Sequence, residues 1–100
     1  MNIWYGIGNI TKDPEVKYKP GNEPLAVLKM TIAINEYSND QETANFIQVT
    51  VFGKQAENCE KYLKKGSKVA VTGFIKTGSY EKDGEKKYTS DVIARRVEFL

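Results

Sequence analysis

Apolar side chains recur at every second residue through three separate stretches of this chain, a period that fits strands and not helices. Between Leu25 and Ile34, Ala26, Leu28, Met30, Ile32 and Ile34 share one face, while Val27, Lys29, Thr31 and Ala33 share the other. Residues 46–52 set Ile47, Val49 and Val51 against Phe46, Gln48, Thr50 and Phe52. From Lys68 to about Tyr80, Val69, Val71, Gly73 and Ile75 alternate with Ala70, Thr72, Phe74, Lys76, Gly78 and Tyr80. Only one segment, residues 54–64, carries a helical stripe (Ala56, Cys59, Leu63), and Gly66 is placed to stop it.

The remaining segments follow the same grammar. Residues 2–11 read as a strand with Ile3, Tyr5 and Ile7 against Trp4, Gly6 and Gly8, bent at its glycines. Lys12-Asp13-Pro14-Glu15 is a turn, and Val16–Tyr18 a short extended continuation. Lys19–Pro24 is a hairpin connection, and Asp83-Gly84 tips a second hairpin within residues 81–85. Residues 35–45 are polar and turn-rich, and are expected to form a mobile loop carrying Tyr37. Residues 86–99 form the last strand, with a bulge near Arg95-Arg96 where alternation slips. Three strands, a helix and two strands is the order of an OB fold: a five-stranded, all-β barrel with one short helix between strands 3 and 4. No repeat, linker or low-complexity segment divides it, so residues 1–100 are expected to form a single domain.

Composition narrows the chemistry. The chain has no histidine and one cysteine, so an internal disulfide and a Cys/His zinc site are excluded. Cys59 lies on the helix's apolar stripe, where a small buried hydrophobe is the natural role. The carboxylates are scattered through turns and the helix surface, with no pair at metal-ligand spacing. Gly6-x-Gly8 lacks the rest of a dinucleotide fingerprint. No enzyme activity, cofactor or metal is therefore expected. No stretch approaches a membrane span and no leader precedes the fold, so a cytoplasmic protein without membrane association is the expectation. The net charge is only +2, but it is unevenly spread: residues 1–50 hold 4 basic and 6 acidic side chains, residues 51–100 hold 11 and 7. The second half points weakly to an anionic partner.

The aromatics point further. Phe46 and Phe52 lie on the side of their strand that a core does not claim, alternating with polar residues. Single-stranded nucleic acid is held by aromatic faces on which bases stack and by cations that meet its phosphates. Tyr80, at the end of its strand, and Tyr37 in the polar loop are candidates for the same role. Trp4 is assigned to an outer face, where subunit contact and local packing outweigh stacking; Phe74 is treated likewise. Lys54 follows Phe52-Gly53 at the mouth of the groove, and Lys76 shares a face with Tyr80. Lys29 and Lys65 are further phosphate candidates, and Lys82, Lys86 and Lys87 could grip the backbone from the last hairpin. The competing reading of each lysine is an ordinary solvated charge.

Several of these residues occur in ordered motifs: Gly8-Asn9-Ile10-Thr11-Lys12-Asp13-Pro14-Glu15 with Val16-Lys17-Tyr18, then Phe46-Ile47 and Val51-Phe52-Gly53-Lys54. Tyr62-Leu63-x-Lys65-Gly66-Ser67 and Tyr80-x-x-x-Gly84 follow. Across essentially the whole chain this resembles the bacterial single-stranded DNA-binding proteins. The resemblance implies an OB fold assembled as a homotetramer, wrapped by single-stranded DNA in replication, recombination and repair. It implies stacking at Phe46, Phe52, Tyr80 and Tyr37, and basic groove positions at Lys54 and Lys65. Phe46 and Tyr80 match positions held by tryptophan in well-known members, so each should hold a base less well. Gln48 and Gly78 stand where some members place arginines, and Glu36 adds negative charge beside the loop; a more salt-sensitive binder is expected.

Family members usually continue into an acidic tail that recruits replication and repair proteins. This sequence ends at Leu100 while still reading as structured, so such partners are expected only if a tail exists in the parent protein. Nucleoid association in the cytoplasm follows from the same resemblance. Two alternatives keep the fold and change the role: a primosome-type replication accessory protein, or an RNA-binding OB-fold protein. A third, from another class, is an oligomerisation domain whose outward aromatics are buried between subunits.

Overall fold

A computed structural model describes residues 1–100. Its elements are β1 (Trp4–Ile10), β2 (Val16–Lys19), β3 (Leu25–Ser38), β4 (Gln41–Phe52), α1 (Gly53–Tyr62), β5 (Lys68–Lys82) and β6 (Glu85–Phe99). β1 and β2 flank the Lys12–Glu15 turn, so the first barrel strand is delivered in two pieces. The sheet runs β1-β5-β6-β4-β3-β2 and closes where Asn9 and Ile10 of β1 also pair with Ala33 and Ile32 of β3. The result is the expected OB barrel, with the helix between its third and fourth strands.

The alternating faces sort as the sequence predicts, except that Ala70 is buried on the far side of β5 and Ile75 is exposed beyond the end of the core. Ala26, Leu28, Met30, Ile32, Val49, Val51, Val69, Val71 and Val92 line the interior, and Ala56, Cys59 and Leu63 insert the helical stripe into the same cluster. Burial on this scale is what stabilises so small a barrel. It also holds Cys59 as a thiol, its pKa pushed up from 9.0 to about 11 by desolvation.

Closure needs close backbone approaches. A Cβ at Gly8 would lie 2.6 Å from the Ala33 carbonyl oxygen, so only glycine lets β1 meet β3 there. Gly73 is equally required, because a Cβ would run into the carbonyl of Ile93. The expected bulge is directly opposite: Thr72 pairs with Arg96 and Gly73 with Ala94, leaving Arg95 as the extra residue. Gln55 of α1 takes up the freed backbone groups, accepting from Val97 N–H at 2.7 Å and donating to the Arg95 carbonyl at 3.3 Å.

Three expectations need correction. Residues 35–45 are not a loop: β3 runs on to Ser38, β4 starts at Gln41, and the ladder between them is unbroken down to Ser38 opposite Gln41. Asn39 and Asp40 make the turn with φ of 51° and 60°, the left-handed pair of a type I′ hairpin. Both faces of this arm stand clear of the core, so its strands carry no apolar alternation. Trp4 is not on the outer face either. Its ring folds inward over Gly6 and packs half-buried against the core, while Ile3, Tyr5 and Ile7 point outward. Thr50 has the outward parity assigned to it, but neighbours on both sides cover it to 8% exposure.

Candidate nucleic-acid interface

Side chains at paired positions of neighbouring strands share a face, so the strand registers determine which residues meet. On the outside of the barrel, Ala33 lies beside Phe46, and Thr31 beside Gln48. Val49 pairs with Val92 in the parallel β4–β6 contact, which sets Gln48 next to Asp91; Asp91 in turn pairs with Lys76. The following row runs Lys29–Thr50–Ile93–Phe74, and the one after it Lys17–Val27–Phe52. Phe46 and Phe52 thus stand on one continuous outer surface, six residues or about 20 Å apart. Lys29 and Lys76 flank the interval between them. Phe46 is 65% exposed and Phe52 37%, so the first is a free face and the second is partly seated in the sheet.

Two long hairpin arms extend this surface. Tyr37 faces Glu42 on the β3–β4 arm, four positions beyond Phe46 or about 13 Å further out. It has the same outward parity as Lys29. Tyr80 pairs with Lys87 on the β5–β6 arm and shares its side with Lys76. Both tyrosines are well exposed. Glu36, the negative charge beside Tyr37, points to the opposite side of its strand, where its carboxylate accepts from Asn45 Nδ2 at 3.0 Å.

The other candidates distribute as follows. Lys54 sits in the first turn of α1, two residues after Phe52. Lys65 is separate: it lies in the turn after α1, where its backbone N–H donates to Asp13 Oδ1 at 2.7 Å. That contact ties it to the β1–β2 turn and not to the outer rows. Phe74 is half-buried, with the Arg95 guanidinium 4.9 Å from its ring centre, which fits local packing.

Sequence reasoning passed over two features. A cleft of about 260 Å³ beside the Phe52 end of the surface is lined by Lys12, Lys17 and Lys29, with Asp13, Glu15 and Val27. Lys12 and Lys17 fall in the turn motif, and only the β2–β3 pairing reveals that Lys17 comes up beside Val27 and Lys29. Tyr88, 75% exposed, lies on the reverse side of the β5–β6 arm with the Lys86 amine 5.6 Å from its ring centre. The run Lys86-Lys87-Tyr88 was a legible signal, an aromatic interleaved with bases.

Such a surface offers flat π-faces at intervals and positive charge between them. The model of the single-strand binding protein family matches residues 1–100. The Single-stranded DNA-binding protein of Clostridium tetani is 44% identical over 103 residues, covering all of this chain and 70% of the relative. Single-stranded DNA-binding protein 3 of Clostridium acetobutylicum is 42% identical, covering all of this chain and 71% of the relative. The Single-stranded DNA-binding protein of Bacillus cereus is also 42% identical, covering the whole chain and 60% of the relative.

Proposed function

The chain belongs to the single-strand binding protein family, and we propose that it binds and protects single-stranded DNA, irrespective of sequence and without catalysis, in replication, recombination and repair. The observation that carries this is the placement of Phe46 and Phe52 on one outer surface with Lys29 and Lys76 between them. Unpaired bases stack on the two rings, and Tyr37 and Tyr80 prolong the track along the arms. Lys29, Lys76 and Lys54 meet phosphates along it; Lys65, with Lys12 and Lys17, extends the positive charge round the barrel end. A duplex keeps its bases stacked on one another and cannot use the rings, which is the physical basis of selectivity for single strands.

The protein also assembles with itself, as a homotetramer. The outward stripe Ile3, Tyr5 and Ile7 is exposed, and β1 from Trp4 to Gly8 pairs with β5 on one edge only. An unpaired strand edge bearing apolar side chains is an association surface. On this reading the cytoplasmic nucleoid is where it acts, and replication and repair proteins join it only where the parent protein carries a C-terminal tail.

Photo-crosslinking to oligo(dT) carrying bromodeoxyuridine, followed by peptide mapping, tests the site. Crosslinks should fall in the peptides of Phe46, Phe52, Tyr37 and Tyr80. Crosslinks confined to the β1 stripe around Tyr5 would overturn it.

A further inference from the structure

In the two rows that cross β3, β4, β6 and β5 between Phe46 and Phe52, the one carboxylate is that of Asp91, and an acid is an odd neighbour for a polyanion. Its surroundings give it a role. β4 and β6 pair only at Val49/Val92 and Thr50/Ile93. Toward Phe46 and Ser90 the two strands diverge and leave a cavity of about 210 Å³. Trp4, Phe46, Ile47 and Ile75 give it apolar walls, and Gln48 and Asp91 supply its polar groups. Asp91 is half-buried, yet it takes part in neither of the structure's two ion pairs, although Lys76 is its cross-strand partner. No side-chain hydrogen bond reaches it.

We propose that this fork is a base-reading slot in which Asp91, assisted by Gln48, binds the hydrogen-bonding edge of the base stacked on Phe46 and favours guanine. The inference rests on the single-stranded DNA reading above and adds a composition preference to it. A half-buried carboxylate is an acceptor only, and it is stabilised by N–H donors. Guanine presents two adjacent donors, N1–H and the N2 amine, in the side-by-side arrangement that both carboxylate oxygens can accept. Cytosine and adenine offer an amine next to a ring nitrogen that repels the second oxygen. Thymine offers one N–H flanked by two carbonyls. Lys76, on the far side of Asp91, meets the adjoining phosphate and offsets the repulsion between backbone and carboxylate.

Deoxyinosine keeps the N1–H of guanine and lacks its N2 amine, so it isolates the second hydrogen bond. The test compares oligo(dT) of about 35 nucleotides carrying isolated dG residues with the same strand carrying dI, by competition for the full chain. The slot predicts at least about fivefold tighter binding of the dG strand, the lower end of what a bidentate base contact contributes. Asp91→Asn should remove that difference while leaving oligo(dT) binding as tight or tighter, since a negative charge is lost. Equal affinity of wild-type protein for the dG and dI strands overturns the slot and leaves the parent reading standing. A dG preference that survives Asp91→Asn also overturns it. Should that variant fail to fold, the wild-type comparison alone decides. An absence of saturable oligo(dT) binding removes both the slot and the reading beneath it.

Discussion

Phe46 offers the sharpest perturbation, because its ring is 65% exposed and contributes little to the core. Removing it in Phe46→Ala deletes one stacking face, worth about 1–3 kcal/mol, or roughly 5- to 150-fold in affinity. Stability should scarcely move: surface substitutions stay within about 0.5 kcal/mol, roughly 2–4 °C in Tm for a domain of this size. The assay is fluorescence anisotropy with an oligo(dT) short enough to occupy about one barrel, roughly 10 nucleotides, so that losses in several protomers do not multiply. Phe46→Leu separates stacking from simple apolar contact, since leucine keeps most of the hydrophobic area and has no π-face. The account requires Leu to behave like Ala. Wild-type affinity in the Ala variant, or full rescue by Leu, would refute the stacking argument. A large fall in Tm would show that the ring belongs to packing after all.

Gly8→Val should unfold the barrel or lower its Tm steeply, because the added Cβ meets the Ala33 carbonyl oxygen at 2.6 Å; thermal melting followed by circular dichroism checks this. Cys59 should resist thiol reagents in the native state at pH 8 and react on unfolding, as its pKa of about 11 and burial dictate. Because that thiol ionises more readily unfolded, its contribution to stability is present below pH 9 and is lost between about pH 9 and 11. The loss reaches roughly 2–3 kcal/mol and is read as the difference between wild type and Cys59→Ala in urea melts across that range. Lys29→Ala and Lys76→Ala should each weaken binding to all single strands alike and flatten the salt dependence by about 0.7 in log–log slope, measured by salt titration of the complex. Ile7→Lys should prevent the homotetramer proposed above from forming without unfolding the barrel, as sedimentation velocity would register.

Legibility in the sequence followed burial. Leu28, Met30, Val49 and Val51 announced their faces because one side of each strand meets the core and the other does not. The same contrast is missing in the β3–β4 arm, where Asn35, Tyr37, Thr43 and Asn45 are all exposed, so its strands looked like loop. Their pairing is imposed by the ladder that continues out from the barrel, and only the Asn39-Asp40 turn marked it locally. Trp4 deceived for a related reason: alternation gave the two faces of β1, but it took Gly6 making room for the indole to decide which faced in. Phe46 and Phe52 were legible as outward aromatics, whereas Lys17 and Asp91 were not. Their places beside that surface depend on the β2–β3 and β4–β6 registers, which join residues far apart in the chain.

The central claim is that rings on an outer sheet surface, with lysines between them, hold single strands and reject duplex. Its most direct test is anisotropy with oligo(dT) of about 35 nucleotides at low and high salt, with duplex DNA and oligo(U) as competitors. The account predicts saturable binding that weakens with salt yet persists, because the stacking share is not electrostatic, and poor competition by duplex. Binding that vanishes at high salt, or duplex that competes as well as single strands, would contradict it.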